Sequence, residues 1–380
     1  MSLTVLDEHL KYWQDSVKVD RYRRALAEVV RPGDRVLDLG SGTGLLGLLA
    51  CEAGAGHVIA VESGPLATVA DEVFERNGVA DRVHVIRAMS TELTLPEPVD
   101  VIVGDQIGGF AYGAGTFEFY PDAAERFLSP TGVTIPARFD LLLAAAEHQP
   151  SRTAIDGFRD NASGYDLSPL HELTSNTIRL LYVDSRDELL SEPKAVRSVS
   201  ATDASRFRIA TEIEIERAGR VDGLVGMFTA QLSPSVRMSN VPGHADHMTE
   251  RWQDLFPLSE PIDVRPGDRL SVELTVNPAT YLATWQVGRG DLDGAARHSS
   301  FYSRLLSPEV LRQLTQRPTP LTEVGRKVAM EIAGWEDDLV DTAAVVERLV
   351  AELPHVPRAR LERMVRSVTA ALARADGEGD

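Results

Sequence analysis

Val36-Leu37-Asp38-Leu39-Gly40-Ser41-Gly42-Thr43-Gly44 is the stretch on which the reading of this chain turns. Residues 36–39 form an apolar run broken only by Asp38 and followed by three glycines spaced two apart. Residues 45–51 then carry the apolar face of a helix. A strand, a glycine turn and a helix in that order let the backbone approach a ligand closely and aim a helix N-terminus at anionic groups. His57 to Val61 reads as a second strand, and Glu62 closes it 22 residues after Gly40. A carboxylate at that place can accept both hydroxyl protons of a ribose. No Lys-Ser/Thr pair follows the glycines, which argues against a phosphate-gripping P-loop. Two ligands stay open on these residues, a dinucleotide and S-adenosylmethionine.

The pattern repeats outward from this stretch. Residues 69–77 are an amphipathic helix, and residues 82–86 and 99–103 are further apolar strands. Strand and helix alternating at this pitch predict a parallel sheet with crossover helices. After about residue 140 the style changes: residues 206–216 alternate with period two, and 223–232 and 268–276 look like strands without helices between them. That predicts an antiparallel barrel or sandwich. The polar stretch 150–176 and the Pro-rich stretch 317–320 read as connectors. Residues 321–334, 342–353 and 358–373 carry helical apolar spacing, and the tail 375–380 is polar. The expected division is an α/β Rossmann-like domain at 1–136, an antiparallel β domain at 137–300 and a small helical domain at 301–380.

Composition narrows the function. The 380 residues are 43% apolar and 25% charged, ordinary for a globular chain. Lys and Arg number 39 against 57 Asp and Glu, a net charge of −18. Such a surface repels phosphate backbones and draws in a basic peptide or an amine, so no nucleic-acid partner is expected. A single cysteine, Cys51, excludes disulfides within the chain and cysteine metal clusters. Without an apolar N-terminal segment or a bilayer-length apolar run, the expectation is a soluble, cytoplasmic protein with no membrane partner and no metal.

Asp38-Leu39-Gly40-Ser41-Gly42-Thr43-Gly44 resembles motif I of the class I methyltransferases. Over about residues 7–290 the chain resembles the protein arginine methyltransferases. Ala53-Gly54-Ala55-Gly56-His57 through Glu62 matches the cofactor segment, residues 15–26 the N-terminal helix that folds over the cofactor, and Ala88-Met89-Ser90-Thr91-Glu92 the segment that holds adenine. Residues 127–136 resemble the strand entry from the Rossmann domain into the barrel, and Gly164-Tyr165-Asp166-Leu167 the segment before a dimerisation arm at about 150–180. The resemblance implies S-adenosyl-L-methionine as cofactor, methyl transfer to nitrogen and a homodimer. It places the cofactor among Lys18, Asp38, Gly40, Ser41, Gly42, Gly44, Leu45, Glu62, Ser63, Ser90, Thr91, Glu92 and Asp105. Lys18 stands where the family has an arginine for the methionine carboxylate; it keeps the charge and loses the fork.

The acceptor side departs from the family. Two loop glutamates nine residues apart normally clamp a guanidinium. Here the loop begins Gly104-Asp105-Gln106-Ile107-Gly108, with Asp105 in the first position and Ala114 in the second. The family's Thr-His-Trp loop reads Thr249-Glu250-Arg251-Trp252. Asp105 is the candidate to orient an acceptor amine or take up its proton, with Glu118, His247 and His244 in reserve. Residues 321–334 with the two helices that follow resemble the helical part of PqqD-like precursor-peptide-recognition domains. Together these imply an N-methyltransferase acting on an amine of a leader-bearing precursor peptide, as in daptide-type methyltransferases that dimethylate a C-terminal amine. A true arginine methyltransferase, drawing a second carboxylate from Asp246 or Glu250, and a catalytically silent cofactor-binding scaffold are the alternatives.

Overall fold

The apolar runs of the first third lie side by side in one parallel sheet. The computed structural model describes residues 5–183, 185–248, 251–278, 282–300, 341–354 and 356–375. Strands β1 (Arg35–Leu39), β2 (His57–Val61), β3 (Val83–Ile86), β4 (Val99–Gly104) and β5 (Leu128–Ile135) take the order β3-β2-β1-β4-β5. Every pairing among them is parallel. Helices cover both faces of such a sheet, which is why its middle strands read as nearly unbroken Val, Ile and Leu. The helices of this part are α1 (Val5–Gln14), α2 (Ser16–Val29), α3 (Leu45–Glu52), α4 (Leu66–Arg76) and α5 (Thr116–Phe127).

The order runs outward from β1 to β2 on one side and jumps to β4 on the other, so the ligand crevice of an open α/β sheet falls between β1 and β4. Register sets Leu39 against Gly104. The next residues, Gly40 and Asp105, therefore leave the sheet beside one another. Gln106 confirms how near the two turns are: a Cβ on Gly40 would lie 2.1 Å from its Nε2.

Beyond β5 the described strands pair with one another antiparallel. β6 (Arg138–Ala146), β7 (Arg179–Leu181) and β8 (Lys194–Ser200) join β10 (Gly219–Gln231) and β12 (Gln253–Val264) in the order β7-β12-β10-β6-β8, with β11 (Arg237–Ser239) on β10. β9 (Phe207–Glu214), β13 (Arg269–Asn277), β14 (Leu282–Arg289) and β15 (Arg297–Ser299) make a second sheet, β15-β14-β13-β9. The expected connector at 150–176 instead holds two helices, α6 (Gln149–Asp156) and α7 (Ser168–Ser175). Each has a proline in its first turn, where a missing N–H costs nothing, so a residue that reads as a breaker starts the helix. α8 (Thr342–Glu352) and α9 (Arg358–Ala375) follow, packed through Val345, Val346 and Leu349 on one side and Leu361, Met364 and Val365 on the other. The helix expected at 321–334 and the Pro-rich 317–320 lie outside the described residues.

One core runs through the parallel sheet and both antiparallel ones. Edge-on aromatic contacts carry it across: Phe117 to Phe139 at 5.9 Å, Phe139 to Phe228 at 5.8 Å, Phe110 to Phe256 at 5.5 Å and Phe256 to Trp285 at 5.6 Å. Phe110 belongs to the loop after β4, so that loop is fixed by the barrel as well as by its own strand.

Candidate active site

Asp15 begins the construction of the site. As N-cap of α2 it accepts the Lys18 backbone N–H at 3.0 Å, three residues on. Tyr22 lies one helical turn beyond Lys18 on the same face. Both side chains reach the end of β4. Lys18 Nζ is 2.9 Å from Asp105 Oδ2, and the Tyr22 hydroxyl donates to Gly104 O at 2.8 Å and to Asp105 Oδ1 at 3.2 Å. The Tyr120 hydroxyl, from α5, donates to Gly104 O at 2.9 Å and to Ile135 O at 2.8 Å, locking β4 to β5 at this end.

A second cation closes on the same carboxylate from the antiparallel part. Arg251 Nη2 bonds Asp105 Oδ1, and Arg251 Nη1 donates to Ile107 O at 3.0 Å. The three charged side chains are nearly enclosed, Lys18 4% exposed, Arg251 10% and Asp105 18%. Burial alone would push the Asp105 carboxyl up, but Arg251 and then Lys18, together with hydrogen bonds from Lys18 and Tyr22, hold it below the usual range. It is therefore an ionised anchor, poorly suited to taking up a proton. Burial pulls Lys18 below its ordinary value against the attraction of Asp105, and its ammonium also sits 3.9 Å from the centre of the Tyr12 ring.

The glycine turn lies under α1. Trp13 Nε1 donates to Thr43 Oγ1 at 2.8 Å, and a Cβ on Gly42 would stand 2.3 Å from the His9 ring. Gly40, Gly42 and Gly44 all take positive φ, and Gly44 caps α3. Glu62 spans the turn, its Oε2 accepting from Gly42 N at 3.0 Å and its Oε1 from Gly64 N at 2.6 Å. Asp38 is fully buried and neither carboxyl oxygen meets a well-formed hydrogen bond, although the backbone N–H of Gly47 favours its ionised form. Burial lifts its pKa to about 7. Ser41 Oγ is likewise buried without a partner. Orphaned polar atoms beside a side-chain-free cradle fit a polar, nucleoside-bearing ligand such as S-adenosylmethionine. Ser90–Glu92 form a short 3-10 turn held by Arg126, whose Nη2 donates to Ser90 O at 2.6 Å and whose Nη1 donates to Leu93 O at 2.5 Å.

The reserve candidates are placed otherwise. Glu118 is exposed on the first turn of α5, and Ala114 is exposed just before it. His244 and His247 are half-buried in the loop after β11. Asp246 pairs with Arg21 at 2.8 Å, and Thr249 and Glu250 lie outside the described residues. No group of three or more His, Cys, Asp or Glu among the described residues could hold a metal, and no described helix is long and apolar enough to cross a membrane. Sequence reasoning missed Arg251 and Arg126 as organisers. The available signal for Arg251 was its basic charge in a loop facing a pocket poor in acids.

Asn240 and Asp254 tie the acceptor loop to the barrel. Asn240 Nδ2 donates to Gly109 O and to Trp252 O, both at 2.7 Å, and Asp254 Oδ2 accepts from Phe110 N at 3.0 Å. Burial raises Asp254 to about 7 from 3.8. A raised carboxyl pKa means that the folded state holds the proton more tightly, so this stabilisation is complete below about pH 4 and fades as pH rises through 7. Asp254→Asn keeps an acceptor for Phe110 and cannot ionise. The melting temperature of the variant relative to wild type is expected to rise by a few degrees between pH 5 and pH 8.5, from about 2.7 kcal/mol of linkage lost between pH 5 and 7. A difference that does not change with pH would remove Asp254 as the titrating group.

Comparison with known proteins places this geometry. A model of the ribosomal protein L11 methyltransferase family (PrmA) matches residues 23–115. Protein arginine N-methyltransferase PRMT10 of Arabidopsis thaliana is 27% identical over 300 residues, covering 69% of this chain and 78% of that one. Protein arginine N-methyltransferase 1 of Chlamydomonas reinhardtii is 26% identical, covering 71% and 80%. The chain is an S-adenosylmethionine-dependent N-methyltransferase. Histone-arginine methyltransferase CARMER of Drosophila yakuba is 30% identical to the methyltransferase over 283 residues, 70% of this chain and about half (53%) of that one. The same fold is present in the Trypanosoma brucei PRMT1 enzyme-prozyme heterotetrameric complex with AdoHcy, with TM-score 0.65 and 21% identity over 77% of this chain and 96% of that one. It is present again in the structure of Arabidopsis thaliana arginine methyltransferase 10, with TM-score 0.64 and 22% identity over 78% and 96%.

Proposed function

We propose that the methyltransferase acts on arginine side chains of a protein or peptide, with Asp105 orienting the acceptor guanidinium. The observation that carries this reading is that Asp105, at the mouth of the β1–β4 crevice, is built to hold a guanidinium and holds that of Arg251. The names of the relatives support the same acceptor. When bound, S-adenosylmethionine supplies a methyl group on a positively charged sulfur. Gly40, Gly42, Glu62, Asp38, Ser41 and the Ser90–Glu92 turn are the residues to hold it, with Lys18 above. The acceptor nitrogen would take that methyl group with its own lone pair, the electrons of the broken C–S bond staying with sulfur. The methylated guanidinium then gives one proton to solvent. An ionised Asp105 aligns the planar fork and balances its charge, and holding reactants in line supplies most of the acceleration. The test is tandem mass spectrometry of arginine-containing peptides incubated with the enzyme and cofactor. A methyl group on arginine is expected; methylation confined to amino groups would overturn the arginine reading.

The uncharged Ala114, nine residues after Asp105, favours a second reading. One carboxylate is enough to orient an ammonium, so the acceptor is then an amine of a leader-bearing precursor peptide, down to a dimethylated C-terminal amine. In that case α8 and α9 serve as part of the leader-docking unit. Under either reading a second copy of the chain docks through the segment at about 150–180, where Tyr165, Leu170 and Leu180 present exposed apolar side chains.

A further inference from the structure

We propose that Arg251 is a specificity-determining residue, an internal competitor for Asp105 that makes the enzyme select arginines flanked by an acidic residue. The proposal rests on the arginine reading above and goes beyond it. Asp105 is a single carboxylate with two cations of its own chain already on it, Lys18 at 2.9 Å and Arg251 through Nη2. An incoming guanidinium brings a third positive charge to one negative one. Arg251 is the one placed to yield: Lys18 stands on α2 with its side chain only 4% exposed and its ammonium also against the Tyr12 ring, whereas Arg251 reaches in from the loop before β12 and is held besides by a bond to Ile107 O. Its side chain is only 10% exposed. A cation displaced inside a nearly closed site without a new partner is expensive. A carboxylate next to the acceptor arginine supplies that partner. The substrate then exchanges ion pairs with the enzyme: its guanidinium takes Asp105, and its Asp or Glu takes Arg251. A neutral or basic flank leaves Arg251 unpaired and like charges together.

The experiment compares three peptides that differ only beside the arginine, bearing Glu, Ala or Lys, in wild type and in Arg251→Gln. In wild type the Glu-flanked peptide is expected to have a KM at least roughly tenfold below the Ala-flanked one, with similar kcat, because the competitor lowers the competent fraction of the site. In Arg251→Gln the three KM values converge, and the Ala-flanked peptide gains most. Arg251→Lys, which keeps the charge, retains the preference and guards against a variant that loses its fold. Equal KM values for Glu- and Ala-flanked peptides in wild type, or a preference that survives Arg251→Gln, would overturn the proposal while leaving arginine methylation standing. If no arginine peptide is methylated by either form, the underlying reading fails first and the proposal with it.

Discussion

Asp105→Asn is expected to lower kcat/KM by roughly 100-fold or more and to destabilise the protein in the same step. The carboxylate is the shared counter-charge of Lys18 and Arg251, both nearly enclosed. An amide offers them no negative charge, and breaking a buried pair by removing one partner costs about 3–5 kcal/mol. A drop in activity alone would therefore be ambiguous, since a loosened site also loses activity. A double-mutant cycle separates the two effects. Adding Arg251→Gln to Asp105→Asn removes one stranded cation, so the melting temperature is expected to recover part of its loss. Turnover is not, because the acceptor still has nothing to orient it. If the double variant recovers turnover along with stability, Asp105 is a structural anchor and its place in methyl transfer is lost. Wild-type turnover in the single variant would have the same consequence.

The sequence showed the half of the site that is made by local chemistry. Asp38 to Gly44 followed by a helical face, with Glu62 at the end of the next strand, is legible because a glycine turn and two flanking strands are neighbours in the chain. The parallel sheet was legible for the same reason, its buried strands being continuous apolar runs. Much of the antiparallel part was hidden. β12 carries Pro257 and Pro261 within its span, residues that argue against a strand, and its pairing with β10 shifts register at Val221–Gly223. The prolines near the starts of α6 and α7 misled in the opposite direction. Acceptor-side contacts were illegible for a deeper reason. Arg251 meets Asp105 across 146 residues and Asp254 meets Phe110 across 144. No periodicity links such positions; only the packing of the barrel against the parallel sheet does. Thr249-Glu250-Arg251-Trp252 shows in sequence that this loop departs from the family pattern, but not that Arg251 reaches Asp105 and makes a new charge arrangement there.

Gly42→Val is expected to reduce cofactor affinity by more than roughly 100-fold, measured by titration calorimetry with S-adenosylmethionine. Two independent costs act at this position. Gly42 has φ +53, a conformation that penalises a side chain by about 1–2 kcal/mol, more when it is β-branched. The added carbon also lands 2.3 Å from the His9 ring, so that ring must swing out of its place over the turn. A distorted turn weakens the Trp13 bond to Thr43 and takes the Gly42 N–H from Glu62, the residue proposed to hold the ribose. Gly33 separates backbone strain from crowding. Its φ is +94, and a Cβ there meets nothing within 4 Å. Gly33→Ala is expected to cost about 1 kcal/mol of stability and leave cofactor affinity at the wild-type value. Should Gly42→Val bind the cofactor as wild type does, the ligand does not lie against this turn and α1 is not its cover. A comparable loss of affinity in Gly33→Ala would instead mean that general destabilisation, and not the closed approach at Gly42, sets the binding.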